Sequence, residues 1–192
     1  LSLEVASFLW FAVQYEMNMI ISGGTASGKT SLLNVLMCFV QPNYRVISIE
    51  DTRELLLPNF LHWIPLNTRE PNPEGKGEVS MLDLLVNSLR MRPDRIVVGE
   101  IRRAAEAEVL FEAMHTGHSV YATLHADNAQ GTYRRLINPP INVPEVMLES
   151  LHLIVAAFRD RRTGRRRILE VSEVLIGQKN MNTIYRWDPI KD

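Results

Sequence analysis

Gly23-Gly24-Thr25-Ala26-Ser27-Gly28-Lys29-Thr30 is the stretch from which the rest of the chain can be read. It satisfies G-x-x-x-x-G-K-[ST] at every defined position. The short apolar run Met19-Ile20-Ile21-Ser22 precedes it, and Leu32, Leu33, Leu36 and Phe39 follow at helical spacing until Pro42. Strand, glycine-rich turn and helix is the order a phosphate-binding loop requires. The glycines let the backbone curl so that several N–H groups point inward, where they and the helix N-terminus stabilise negative charge. Residues 23–31, that is Gly23, Gly24, Thr25, Ala26, Ser27, Gly28, Lys29, Thr30 and Ser31, are therefore the expected phosphate cradle. Lys29 would reach the β- and γ-phosphates, and the Thr30 hydroxyl would ligate Mg²⁺.

Working outward, residues 45–49 form a strand ending in Glu50-Asp51, and residues 63–66 a further strand. Residues 69–77, rich in Pro, Gly and charge, read as an exposed, mobile loop. Ser80 caps a helix carrying Leu82, Leu85, Val86 and Leu89, with Asp83 near its start. Residues 95–98 lack polar alternation, which suits a strand covered on both sides. A helix over 104–115 ends at Gly117, and residues 119–124 form a strand. A short helix over 130–136, a break at Pro139-Pro140 and a helix from Pro144 precede a strand over 153–158. Thr163-Gly164 turns the chain into segments 165–175 and 182–187, which read as an antiparallel pair. Upstream, Leu3, Ala6, Leu9, Trp10 and Val13 trace a helical face. The expectation is one α/β unit whose preceding part lies outside this sequence.

Bulk properties narrow the class. At 192 residues with 46% hydrophobic and 22% charged residues, the chain can bury one core and is neither disordered nor fibrous. Its net charge of -1 gives no overall attraction to nucleic acid. Cys38 has no partner for an intrachain disulfide and is expected on the buried side of its helix, in a reducing, cytoplasmic setting. No apolar run approaches the ~20 residues of a membrane span, and no signal-like segment opens the sequence.

Hydrolysis needs more than a phosphate grip. Glu50-Asp51 and Glu100 follow buried strands, the position from which carboxylates reach a ligand in an open α/β sheet. Arg53, Arg90, Arg92, Arg102 and Arg103 surround them in sequence. His115 and His118 flank a helix exit and His125 ends a strand, so no zinc site is expected. His125 is placed to sense phosphate or to contact a neighbouring loop. Residues 159–167 are rich in arginine, yet they lack interleaved aromatics and span a turn, which favours a solvated or subunit-facing tip over a nucleic-acid surface. Phe8, Trp10, Phe11 and Phe158 are expected to pack.

In their order, the phosphate loop, Ile49-Glu50-Asp51-Thr52-Arg53-Glu54-Leu55, residues 89–102, Thr116-Gly117-His118 and Ala122-Thr123-Leu124-His125-Ala126 resemble the secretion-system ATPase superfamily of type II and type IV secretion, type IV pili and archaeal surface filaments. The resemblance implies a RecA-like P-loop core: a mainly parallel sheet, helices on both faces and terminal antiparallel strands. It implies ATP and Mg²⁺ as cofactors. Lys29 and Thr30 fall in its Walker A box, Glu50 and Asp51 in its acidic box, Gly99-Glu100 in an atypical Walker B and His125 in its histidine box. By the same resemblance Glu50 activates water, Glu100 organises the water shell of Mg²⁺, and Arg90 and Arg102 compensate charge near a subunit boundary. The residues alone leave base and metal roles open between the two glutamates. Gly99 stands where an ordinary Walker B has Asp, and Ala26 replaces a glycine common in the family loop.

The resemblance further implies a homo-hexamer in the full-length protein and an inner-membrane platform protein as partner, with the motor cytoplasmic and peripheral to the membrane. Residues 1–192 would be the C-terminal motor domain, the N-terminal domain lying outside this sequence; alone, the domain is expected to hydrolyse slowly. Two other readings stay open: a nucleic-acid motor on the same core, and a nucleotide-binding regulatory or scaffold module.

Overall fold

The computed structural model describes residues 1–175 and 181–188. Five apolar segments form parallel strands in the middle of the sheet: β1 (Met19–Gly23), β2 (Arg45–Glu50), β4 (Arg95–Val98), β5 (Ser119–Leu124) and β6 (Leu153–Arg159). β3 (His62–Asn67) pairs parallel with β2 at one edge and contains Pro65, a residue sheets tolerate at an edge. β7 (Arg166–Val174) and β8 (Met181–Arg186) add antiparallel at the other side, giving the order β3-β2-β4-β5-β1-β6-β7-β8.

Alternation along the strands sends side chains to two cores. Ile20, Ile47, Ile49, Ile96, Val98 and Ala122 face one side. There they pack against α3 (Met81–Ser88), α4 (Ala104–His115) and α5 (Ala129–Ile137). Met19, Ile21, Val46, Val97, Tyr121 and Val155 face the other, against α1 (Leu3–Gln14) and α2 (Lys29–Met37). Apolar residues filling both faces explain why the strands lack polar alternation. Helices thus cover both faces of a mainly parallel sheet with terminal antiparallel strands, the expected α/β architecture. Among the described residues, no helix is long and apolar enough to cross a membrane.

The helix boundaries follow local chemistry. The Ser80 hydroxyl accepts from Asp83 N while Asp83 accepts from Ser80 N, a reciprocal cap that starts α3. Asn128 accepts from Gly131 N and starts α5. From Glu145 to Ser150 the chain forms a 3-10 helix rather than an α-helix. The loop over 69–77 is exposed, and backbone pairing of Arg69 with Val79 closes it.

Several burial expectations need correction. Cys38 is exposed, because α2 ends at Met37 and the thiol turns back toward the Asn34 carbonyl. On α1 the buried stripe is Val5, Leu9, Ala12 and Val13, which leaves Leu3 and Trp10 outside. Val86 is likewise exposed on α3. Phe8 packs on the core, but Phe11 stacks on exposed Tyr15 and Phe158 on Trp187 at the surface. Helical spacing identifies a face without saying which flank of it meets the sheet.

Candidate active site: a phosphate cradle between two carboxylates and a distant hairpin

The loop between β1 and α2 turns through two left-handed residues, Ala26 (φ 59°) and Gly28 (φ 100°). A side chain at Gly23 could not be accommodated: its Cβ would lie 2.5 Å from the Ala157 carbonyl. Lys29 folds back over the loop, its Nζ donating to the Gly23 and Gly24 carbonyls at 2.9 and 3.1 Å. Burial lowers the Lys29 ammonium below its ordinary value, and the Glu100 and Glu54 carboxylates oppose that shift. The Ser27 hydroxyl is buried without a hydrogen-bond partner.

Parallel strand order brings the acidic strand ends to the same rim. Glu50, only 4% exposed, ends β2. Its Oε1 accepts from Glu54 N at 3.0 Å and Leu55 N at 3.1 Å, which braces the turn after the strand. That turn presents Glu54 to α2, where Thr30 Oγ1 donates to Glu54 Oε2 at 2.9 Å. Glu100 follows β4 by two residues. Arg102 Nη2 donates to Glu100 Oε2 and Arg102 Nη1 to Asp51 Oδ2, both at 2.7 Å. The bond to Glu100 raises the Arg102 guanidinium above its already high ordinary value, against desolvation. Glu106 in the first turn of α4 accepts from Arg102 N and Arg103 N, fixing the backbone beneath that arginine. Thr123, at the end of β5, donates through its hydroxyl to the Gly99 carbonyl.

These groups surround a cavity of about 560 Å³ lined by residues 25–31 together with Glu50, Asp51, Glu54, Glu100, Arg102, His125 and Arg166. The sequence matches the family described as Type II/IV secretion system protein over residues 3–163. The chain belongs to that family.

An uncharacterised protein of Methanocaldococcus jannaschii is 40% identical over 198 residues, covering 100% of this chain and 35% of that protein. A second from the same organism is 37% identical over 199 residues, covering 100% and 73%. Among solved structures, the VirB11 ATPase of the Brucella suis type IV secretion system, in complex with sulphate, superposes with a TM-score of 0.75 at 31% identity, over 88% of this chain and 52% of that one. This member thus spans about a third of its first relative and half of the Brucella chain.

The cavity brings together Lys29, Thr30, Glu50, Glu100, Arg102 and His125. It does not include Arg90, which is exposed on the 3-10 turn Leu89–Met91 after α3. Nor does it include Arg53, which lies over the Trp63 ring. Among the lining residues with no role expected from the sequence, three make side-chain hydrogen bonds at the site: Glu54, Thr123 and Arg166. Glu54 lies inside the acidic motif and Thr123 inside the histidine motif, so local signal existed. Arg166 lay in a basic run with no mark connecting it to the phosphate loop.

Proposed function

We propose that this chain is the ATP-hydrolysing motor domain of a secretion or type IV filament assembly machine, coupling Mg²⁺-dependent hydrolysis to protein translocation or pilin assembly. One observation carries the reading: the phosphate cradle opens into the same cavity as two carboxylates that follow parallel strands, Glu50 and Glu100.

The residues fit the nucleotide and metal the family implies. The left-handed turn at Gly28 and the unpartnered Ser27 hydroxyl form a polar cradle at the α2 N-terminus. The Thr30 hydroxyl and Glu100 carboxylate are the hard oxygen donors that Mg²⁺ prefers, with water completing its shell. Bound Mg²⁺ supplies charge neutralisation at the β- and γ-phosphates. In this reading Lys29 exchanges its loop carbonyls for phosphate oxygens. Glu50, held by backbone N–H groups through Oε1, orients the attacking water. Arg102 keeps positive charge beside Glu100, and His125, which also lines the cavity, acts as a phosphate sensor. Arg90, outside its own chain's cavity, would act on the site of a neighbouring subunit in a homo-hexamer. An inner-membrane platform protein is the proposed recipient of the motion, which makes the motor cytoplasmic and peripheral.

The test is steady-state ATP turnover of the full chain, with Mg²⁺ and with EDTA, for the wild type, Lys29→Ala and Glu50→Gln. Metal-dependent turnover that both substitutions abolish is the expected result. A folded Lys29→Ala protein with wild-type turnover would overturn the assignment.

A further inference from the structure

In phosphate-loop NTPases, Mg²⁺ is held by the loop Ser/Thr and a Walker B Asp. Here Gly99 stands at that position, and a Cβ there would lie in tight contact with Glu50, 3.3 Å from its Cγ. Glu100 keeps a carboxylate for the metal's shell, but the Thr30 hydroxyl still needs an acceptor for its hydrogen. A threonine hydroxyl has one hydrogen and two lone pairs. For a lone pair to face a metal reliably, the hydrogen needs a fixed acceptor on the side away from it.

We infer that Glu54 is that acceptor, a positioning residue that takes the Thr30 hydroxyl hydrogen and so aims its lone pair at the metal, in place of the missing Walker B aspartate. The inference rests on the Mg²⁺-nucleotide reading of the site. Its support is geometric. Thr30 Oγ1 lies 2.9 Å from Glu54 Oε2. Glu54 is not a loose surface carboxylate at its backbone, because Glu50 Oε1 accepts from its N–H at 3.0 Å and from that of Leu55 at 3.1 Å. Leu55 is fully buried, which anchors the turn in the core under α2. Glu54 also lines the cavity, and its charge acts on Lys29 together with that of Glu100. One acidic segment therefore contributes twice: Glu50 braces the turn, and the turn delivers Glu54 to the Thr30 hydroxyl. The Glu50 side chain also crowds position 99, where an added Cβ would lie 3.3 Å from its Cγ.

The role predicts a metal-affinity effect that passes through Thr30. Mn²⁺ serves as the spectroscopic probe, with free Mn²⁺ measured by electron paramagnetic resonance on the full chain saturated with a non-hydrolysable ATP analogue. Glu54→Leu, which keeps bulk and removes the acceptor, should weaken Mn²⁺ about 10-fold, the scale of losing a partner that orients a metal ligand. Glu54→Gln retains a carbonyl acceptor and should stay within about 3-fold of wild type, a neutral bond replacing a charge-assisted one. In a Thr30→Val background, Glu54→Leu should weaken Mn²⁺ no further. Binding of the analogue in EDTA should persist in both Glu54 variants, which reads the phosphate loop separately, and circular dichroism confirms the folding of every variant. The inference is overturned if Glu54→Leu binds Mn²⁺ as wild type does, if Glu54→Gln falls as far as Glu54→Leu, or if the Thr30 and Glu54 effects multiply. A wild-type chain that binds the analogue with no Mn²⁺ dependence would instead overturn the functional reading on which the inference stands.

Discussion

Arg166 donates its Nε hydrogen to the backbone carbonyl of Ala26 at 3.0 Å, joining residues 140 positions apart in the sequence. The acceptor sits at a left-handed, non-glycine position of the phosphate loop, and Arg166 Cδ lies 3.2 Å from where a Gly28 side chain would begin. The β6–β7 hairpin thereby holds the loop from outside. Its own tip is ordered by Asp160, which accepts from Arg162 N and from the Thr163 hydroxyl.

Arg166→Ala should therefore weaken nucleotide binding several-fold, on the scale of one hydrogen bond worth about 0.5–1.5 kcal/mol. Thermal stability should hardly change, because the side chain is exposed. Replacing Arg161, Arg162 and Arg165 together with serine should leave binding at the wild-type level. Titration with a fluorescent nucleotide separates the two; equal effects would mean that the basic run acts only through general charge. A salt-sensitive, nucleic-acid-stimulated ATPase lost in the triple variant would favour the nucleic-acid motor instead.

Glu50 is both brace and proposed water-orienting group, and substitutions can part the two roles. Glu50→Gln keeps an acceptor for the Glu54 and Leu55 N–H groups, so its unfolding midpoint should stay close to wild type while turnover falls ~10²–10⁴-fold. Glu50→Leu leaves those donors unpaired and should in addition lose about 1–3 kcal/mol of stability. Denaturant unfolding alongside turnover reads both. Undiminished turnover in Glu50→Gln would remove Glu50 from the chemistry.

Restoring an ordinary Walker B should harm the protein. Gly99→Asp places a side chain against Glu50 Cγ, and even Gly99→Ala puts its Cβ within 3.3 Å. Overpacking of this kind costs about 1–3 kcal/mol. Turnover should fall by more than the stability loss explains, because the displaced group is Glu50. Calorimetry and turnover on both variants test this; a more active Gly99→Asp protein would contradict the proposed division of labour.

At the opposite end of the sheet, His152 Nδ1 accepts from Asn18 N at 2.9 Å, which requires an unprotonated Nδ1. Desolvation of the ring lowers the imidazole below its ordinary value although the residue as a whole is exposed. A depressed value means that this contribution is complete above about pH 6.5, the unfolded value, and is lost as pH falls through the lower folded value. Unfolding midpoints between pH 7.5 and pH 5 should therefore decline less in His152→Asn than in wild type. Identical slopes would show that His152 contributes nothing to acid sensitivity.

The pattern of residues 23–30 determined the loop by itself, because the backbone demands of a phosphate cradle are local: a strand, glycines at fixed offsets, a lysine and a helix. Placement of Glu50 and Glu100 at one rim was also legible, since carboxylates ending parallel apolar strands must emerge at the same edge of the sheet. The side of α1 that packs, and the exposure of Cys38, were not, because spacing fixes a stripe on a helix while the neighbouring sheet selects its orientation.

Tertiary structure alone decided three further relationships: that Glu54, rather than a residue at position 99, meets the Thr30 hydroxyl; that Glu50 fills the space beside Gly99; and that Arg166 reaches the phosphate loop from a late hairpin. Each depends on strand order and on the distance between side chains remote in the chain. Local sequence specifies which chemical groups are present and which way a short turn bends, but a hydrogen bond across 24 or 140 residues exists only once the sheet has brought its two ends together.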